Sequence, residues 1–243
     1  MRYHFCISIT CLIWATLAHA AQSTSFQAGI EAHEQGAYET AKMKFSSALE
    51  TNETGAARHN LALTELKLGN PAEAIWQLER ALLLNPLNSD YRSKLNLIQE
   101  QLGLAATSPK WYVQLAKLTS QRVWMIIASL SFWLLLALFV LPVISGKKAD
   151  AKIQFSRLLS LIALVVSLTA IWLNIQHLQM GIVISNETVP LHTAPASAAP
   201  EAGFIRPGER ARIRDQYNEF YKIESESSAT GWISKSEFRS LIN

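Results

Sequence analysis

The sequence predicts a multidomain chain: an all-α region of helical repeats, a two-helix transmembrane hairpin, and a C-terminal small all-β barrel. Three observations carry this. Two uncharged apolar stretches lie close together, at 123–144 and 158–178. Ahead of them, a helix-forming segment repeats its pattern of glycine, alanine and large apolar residues. Behind them, the chain turns to short β-branched and aromatic runs split by Pro, Gly and Ser.

The apolar stretches fix the organisation. V-W-M-I-I-A-S-L-S-F-W-L-L-L-A-L-F-V-L-P-V-I fills 123–144, and L-L-S-L-I-A-L-V-V-S-L-T-A-I-W-L-N-I-Q-H-L fills 158–178. Neither holds Asp, Glu, Lys or Arg, and each has roughly the 20 residues a helix needs to cross a bilayer core. The core helices of a soluble protein rarely come as such a pair. The connection 145–157 is basic, with Lys147, Lys148, Lys152 and Arg157 against Asp150. Short basic loops stay in the cytoplasm, so the loop is expected inside and both flanks outside. Residues 1–20 agree: Arg2, an apolar run and A-H-A before Ala21 have the order of a secretory signal peptide. The expected location is the cytoplasmic (inner) membrane, multi-pass, with both soluble parts periplasmic.

Composition narrows the chemistry. Cys6 and Cys11 both lie in the expected leader, which leaves the rest of the chain without disulfides or cysteine metal sites. The net charge of +3 is unevenly spread: residues 110–180 carry 7 basic groups and 1 acidic, while 21–109 carry 7 and 10, and 181–243 carry 7 and 8. The excess sits beside the apolar stretches, where it serves membrane topology. A nucleic-acid surface is not expected. There is no G-x-x-x-x-G-K-[ST], H-E-x-x-H or G-x-S-x-G, so no catalytic residue is assigned and no cofactor is expected.

In the segment 21–107, Gly36, Ala41, Phe45 and Ala48-Leu49 recur as Gly69, Ala74, Leu78 and Ala81-Leu82 after 33 residues. The pattern resembles the tetratricopeptide repeat in two units, with 88–104 as a capping helix. That resemblance implies antiparallel helix pairs whose first helices line a concave face for peptide or protein partners. His33, Glu34, His59 and Lys67 fall near that face. The family's carboxylate-clamp set is absent, since Phe26, Ile30 and Leu63 stand at matching places. Two lone histidines do not make a metal site, which needs three or four ligands. Segment 108–122, with Trp111, Leu115 and Leu118 on one face, reads as a pre-membrane amphipathic helix on the bilayer surface or a helical linker.

Residues 181–243 carry short strand-like runs, Pro207-Gly208, F-Y-K-I at 220–223 and Gly231-Trp232-Ile233. They resemble a bacterial SH3-like domain. The family's R-x-G-P signature is reduced to Thr193-Ala194-Pro195. Tyr217, Tyr221 and Trp232 form either a ligand groove or barrel core with one exposed ring.

The whole order, from leader through repeats and hairpin to SH3-like domain, resembles the BatE-like proteins of the bacterial aerotolerance operon. That resemblance implies a non-enzymatic, membrane-anchored scaffold working with von Willebrand A-domain membrane proteins and a MoxR-type ATPase. The competing expectation is a peptidoglycan-binding protein that recruits an envelope enzyme.

Overall fold

The computed structural model describes residues 24–104, 121–144 and 150–241. The expected leader, most of segment 108–122 and the first residues of the basic loop lie outside the described residues. The rest forms two compact units: 24–104 together with 180–241, and the apolar helix pair between them in the chain.

The helical part is built from α1 (24–34), α2 (Tyr38–Thr51), α3 (Gly55–Lys67), α4 (Pro71–Leu84) and α5 (Ser89–Gln101). Its punctuation is local. Gly36 and Gly69 follow α1 and α3 at φ +75° and +81°, a left-handed conformation that glycine enters without a Cβ penalty. The next amides, of Ala37 and Asn70, then donate back to the carbonyls of Ala32 and Glu65 at 2.9 Å. Thr54 caps α3 by accepting from the Ala57 amide, and Asn88 caps α5 by accepting from Asp90 and Tyr91. Pro71 opens α4, where a missing amide hydrogen costs nothing.

Small residues let these helices approach. Ala41, Phe45 and Ala48 of α2 are fully buried, as are Ala74, Leu78 and Ala81 of α4. A Cβ on Gly29 would stand 2.6 Å from the Phe45 ring, so α1 can lie on α2 only with glycine there. Ala74→Phe is expected to overpack the α3–α4 contact and cost about 1–3 kcal/mol. Unfolding of the full chain in detergent reads this directly; an unchanged midpoint would contradict the packing.

The C-terminal part is a seven-stranded antiparallel sheet in the order β3-β2-β6-β5-β4-β1-β7. The strands are β1 (Met180–Val183), β2 (Val189–His192), β3 (Glu201–Ile205), β4 (Arg210–Tyr217), β5 (Phe220–Ser225), β6 (Thr230–Ser234) and β7 (Phe238–Ser240). Val183, Val189, Leu191, Ile205, Ile223, Ile233 and Phe238 form its own core.

The sequence divides 21–107 from 181–243, but the structure joins them. β1 is buried on both faces. Val183 faces the sheet core, while Ile182 packs with Ile75, Leu78, Leu95 and Ile98 of the helical part, joined there by Leu241. A strand with two cores to serve loses the apolar–polar alternation that would have marked it. Gly181 lets β1 lie tight against β7: a Cβ there would meet the Phe238 ring at 2.3 Å.

Charge closes the seam around Trp76, which is 5% exposed. Its Nε1 donates to the Ser240 carbonyl at 3.0 Å. The guanidinium carbons of Arg58, Arg80 and Arg239 lie 4.9, 5.8 and 4.6 Å from its ring centre. Glu53 accepts from Arg58 at 2.8 Å and from Arg80 at 2.6 Å, and Glu73 accepts from Arg239 at 2.7 Å. Burial alone would raise the Glu53 carboxyl, but Arg80 and Arg58 outweigh it and hold it below the usual carboxylate range. Deeper in the seam, Arg210 of β4 pairs with the buried Glu79 of α4.

The second unit is α6 (Gln121–Ile144) packed on α7 (Ala151–Leu178). Both are long and apolar enough to cross a membrane, over Val123–Pro142 and Ala151–Leu173. Only 6% and 17% of these spans are buried, so most of their apolar surface is exposed. The residues buried between them are small: Ala128 and Ser131 on α6, Ser160, Ser167 and Ala170 on α7. Small residues at the contact let the two backbones approach closely. α7 already starts at Ala151, ahead of the onset expected at Leu158. Lys152, Gln154 and Arg157 are good helix formers, so the helix runs on past the apolar stretch. Pro142 cannot donate to the carbonyl four residues before it, which is that of Leu138. Arg157 supplies the missing donors, with Nε and Nη2 at 3.1 and 2.7 Å from that oxygen. Its guanidinium also lies 4.3 Å from the Phe139 ring centre.

Candidate functional site

The four residues expected on the helical face are held in different ways. His33 Nδ1 is 3.0 Å from Thr64 Oγ1, which itself donates to the Asn60 carbonyl at 2.9 Å. The hydroxyl hydrogen is thus committed, so His33 must donate from Nδ1. Its ring also meets Tyr38 edge-on at 5.3 Å. His59 stacks on Tyr91 of α5 at 4.7 Å, and its Nε2 lies 3.4 Å from an Asp90 carboxylate oxygen. Burial lowers the His59 pKa, with Asp90 opposing. Both imidazoles thus tie one helix to another. Glu34 and Lys67 are exposed at the ends of α1 and α3. Among the described residues, no three of His, Cys, Asp and Glu converge as metal ligands.

The sheet divides the expected aromatic cluster. Residues directly opposite on antiparallel strands share a face. Trp232 stands opposite both His192 and Lys222, and Tyr217 stands opposite Phe220. Phe220 and Lys222 are two apart on β5, so all five share the outer face. Tyr221 points the other way, paired with Gln216 and Ile233. It packs on the sheet core, 6.0 Å from Phe238, with the Lys235 ammonium 5.2 Å from its ring. Tyr221 therefore does not join Tyr217 and Trp232 in one groove. The separating signal was in the sequence, since alternation puts Tyr221 beside the aliphatic Ile223 and Trp232 opposite Ile233.

The outer face gains residues that sequence reasoning passed over. Phe220 sits beside Tyr217, and Phe204, 60% exposed, stands opposite Pro190 on the neighbouring strand pair. His192 Nδ1 donates to the Ala199 carbonyl at 2.8 Å, which fixes its tautomer. The face thus offers exposed rings flanked by a lysine and an oriented imidazole. Such a surface stacks on flat apolar groups, whether prolines or sugar rings, while polar neighbours orient them.

Residues 187–238 match the family model described as Bacterial SH3 domain. The match covers β2 to the start of β7 and contains the whole outer aromatic face. No curated protein matches the chain. Residues 187–238 are thus similar to a bacterial SH3 domain, a similarity that suggests a protein- or peptidoglycan-binding module, on a chain with a helical N-terminal part and two apolar helices of membrane-spanning length.

Proposed function

We propose that this protein is a non-enzymatic, membrane-anchored scaffold whose binding surfaces lie outside the cytoplasm. The observation that carries the reading is the seam. Segments 24–104 and 180–241 pack as one body although two apolar helices separate them in the chain. Such packing needs both segments on one side of the membrane, and two crossings return the chain to the side it left. The basic loop then favours the cytoplasm for the turn. Anchoring raises the concentration of a weak binding surface near membrane-bound partners. A reporter active only in the cytoplasm, fused after Asn243, is expected to be silent; activity there would refute this orientation.

The resemblance to the tetratricopeptide repeat and to BatE-like proteins supports a place in an envelope-stress or aerotolerance complex. Its partners would be von Willebrand A-domain membrane proteins and a MoxR-type ATPase, met by the helical face that carries His33, Glu34, His59 and Lys67. The outer aromatic face favours a second reading, a peptidoglycan binder that recruits an envelope enzyme. Capture experiments with the detergent-solubilised full chain separate the two. Co-purification of A-domain proteins supports the scaffold, and retention on purified cell wall supports the binder. In the second case, replacing Trp232 and Tyr217 together by alanine is expected to reduce retention about tenfold or more, with each lost aromatic stack costing about 0.5–1.5 kcal/mol beyond its buried area. Tyr221→Ala is expected to lower the unfolding midpoint instead.

A further inference from the structure

The helix pair holds one charge that its own residues do not balance. Arg157 lies within the apolar span Ala151–Leu173. Its partners among the described residues are the Leu138 carbonyl and the Phe139 ring, one a dipole and the other a quadrupole. No carboxylate joins them. Residues 110–180 carry 7 basic groups and 1 acidic, and that acid, Asp150, stands outside both spans. An ionised side chain at membrane depth is costly unless a group of opposite charge or water reaches it.

An arginine near the end of a membrane helix ordinarily bends its head back to the interface. Arg157 is held in place instead. Nε and Nη2 donate to the Leu138 oxygen at 3.1 and 2.7 Å, and the guanidinium lies 4.3 Å from the Phe139 ring centre. Leu138 is four residues inside the Pro142 end of its span, about 6 Å at the helical rise. The charge is therefore fixed at the shallow edge of the apolar layer and cannot move out to the headgroups. Nη1 has no partner among the described residues, and it is not sealed, because Arg157 is only half-buried. Two helices enclose no interior, so a hydrogen that opens outward from them at this depth meets lipid.

The possible counter-charges are few. A carboxylate from the spans of a second copy does not exist, since neither span contains Asp or Glu. Water supplies an acceptor but no charge. The phosphodiester of a phospholipid supplies both, and its two free oxygens match the planar fork of a guanidinium. A basic loop selects the cytoplasmic side, whose leaflet carries the anionic lipids.

We infer that the Arg157 guanidinium is a docking point for the phosphodiester of an anionic phospholipid, drawn down to a cation that the Leu138 carbonyl and Phe139 ring keep at fixed depth. This rests on the membrane-anchored reading proposed above. Lys152, exposed and five residues nearer the loop, adds general attraction at headgroup level but no fixed site.

The test uses the full chain reconstituted in vesicles of equal parts phosphatidylglycerol and phosphatidylcholine, extracted in mild detergent and weighed by non-denaturing mass spectrometry. Phosphatidylglycerol is expected to be retained in preference to phosphatidylcholine, and glycerol 3-phosphate added to the detergent extract is not expected to compete. Arg157→Gln keeps a donor for the Leu138 carbonyl and removes the charge; it is expected to lower the preference about tenfold, as loss of a charge-assisted hydrogen bond does. Lys152→Gln is expected to lower it less. Arg157→Lys restores the charge and is expected to retain more phosphatidylglycerol than Arg157→Gln, which separates loss of charge from loss of packing. Equal retention of the two lipids overturns the inference. So does a preference that Arg157→Gln leaves unchanged, an effect of Lys152→Gln as large as that of Arg157→Gln, equal losses in Arg157→Lys and Arg157→Gln, or competition by glycerol 3-phosphate. Alkaline carbonate washing of the same vesicles tests the anchored reading separately. Release of the chain refutes that reading and this inference together, whereas a chain that stays in the vesicles but shows no lipid preference refutes this inference alone.

Discussion

Trp76→Ala is expected to cost about 3–5 kcal/mol, the range for removing a large buried aromatic side chain. The indole is in contact with both parts of the first unit. It fills the core shared with Ile182 and Leu241, and its Nε1 satisfies the Ser240 carbonyl. Its loss also removes the surface on which Arg58, Arg80 and Arg239 gather. These like charges would then face one another with only Glu53 and Glu73 between them. The expected result is a lower unfolding midpoint together with new protease cleavage in 180–241, because β7 loses its support. Trp76→Phe keeps most of the apolar volume and should recover much of the loss. If Trp76→Ala costs less than about 1 kcal/mol, the two segments do not share a core.

Glu79→Ala is the second large effect. It leaves the Arg210 guanidinium in the seam without its main partner. Burial pushes the Arg210 pKa down, but the charge and hydrogen bond of Glu79 outweigh that and hold it above its ordinary value. Breaking one side of a buried ion pair costs about 3–5 kcal/mol. The lower end is expected here, because the Glu226 carboxylate also acts on Arg210. The decisive comparison is the double replacement Glu79→Leu with Arg210→Met, which removes both charges and keeps the volume. It is expected to recover most of the stability, since apolar replacement of a buried pair is often neutral. A double variant as unstable as Glu79→Ala would mean that the pair's hydrogen bonds, not its charge balance, hold the seam.

Most of the chain's local structure can be read from its residues. The glycines after α1, α3 and α5 stop those helices by a backbone conformation that depends on glycine itself. The caps at Thr54 and Asn88, and Pro71 at the start of α4, are equally local. The apolar stretches declare their length and lack of charge without reference to anything else. In the β-rich segment, the alternation around Ile223 and Ile233 already separates Tyr221 from Trp232, although reading the three aromatics as one cluster overlooks it.

The helices, their stops, the two apolar spans and the strand-rich texture of the C-terminal segment are legible residue by residue, because each rests on interactions within a few residues. It takes the folded chain to make β1 part of two cores, Trp76 a joint rather than an ordinary core residue, and Arg58 and Glu53 a charged network around it. Folding also gives Arg157 the Leu138 carbonyl that Pro142 cannot donate to. The physical reason is separation along the chain. Trp76 and Ser240 are 164 residues apart, and Glu79 and Arg210 are 131 apart. No periodicity or spacing rule spans such distances, whereas a helix cap or a strand's alternation is complete within one turn or one pleat.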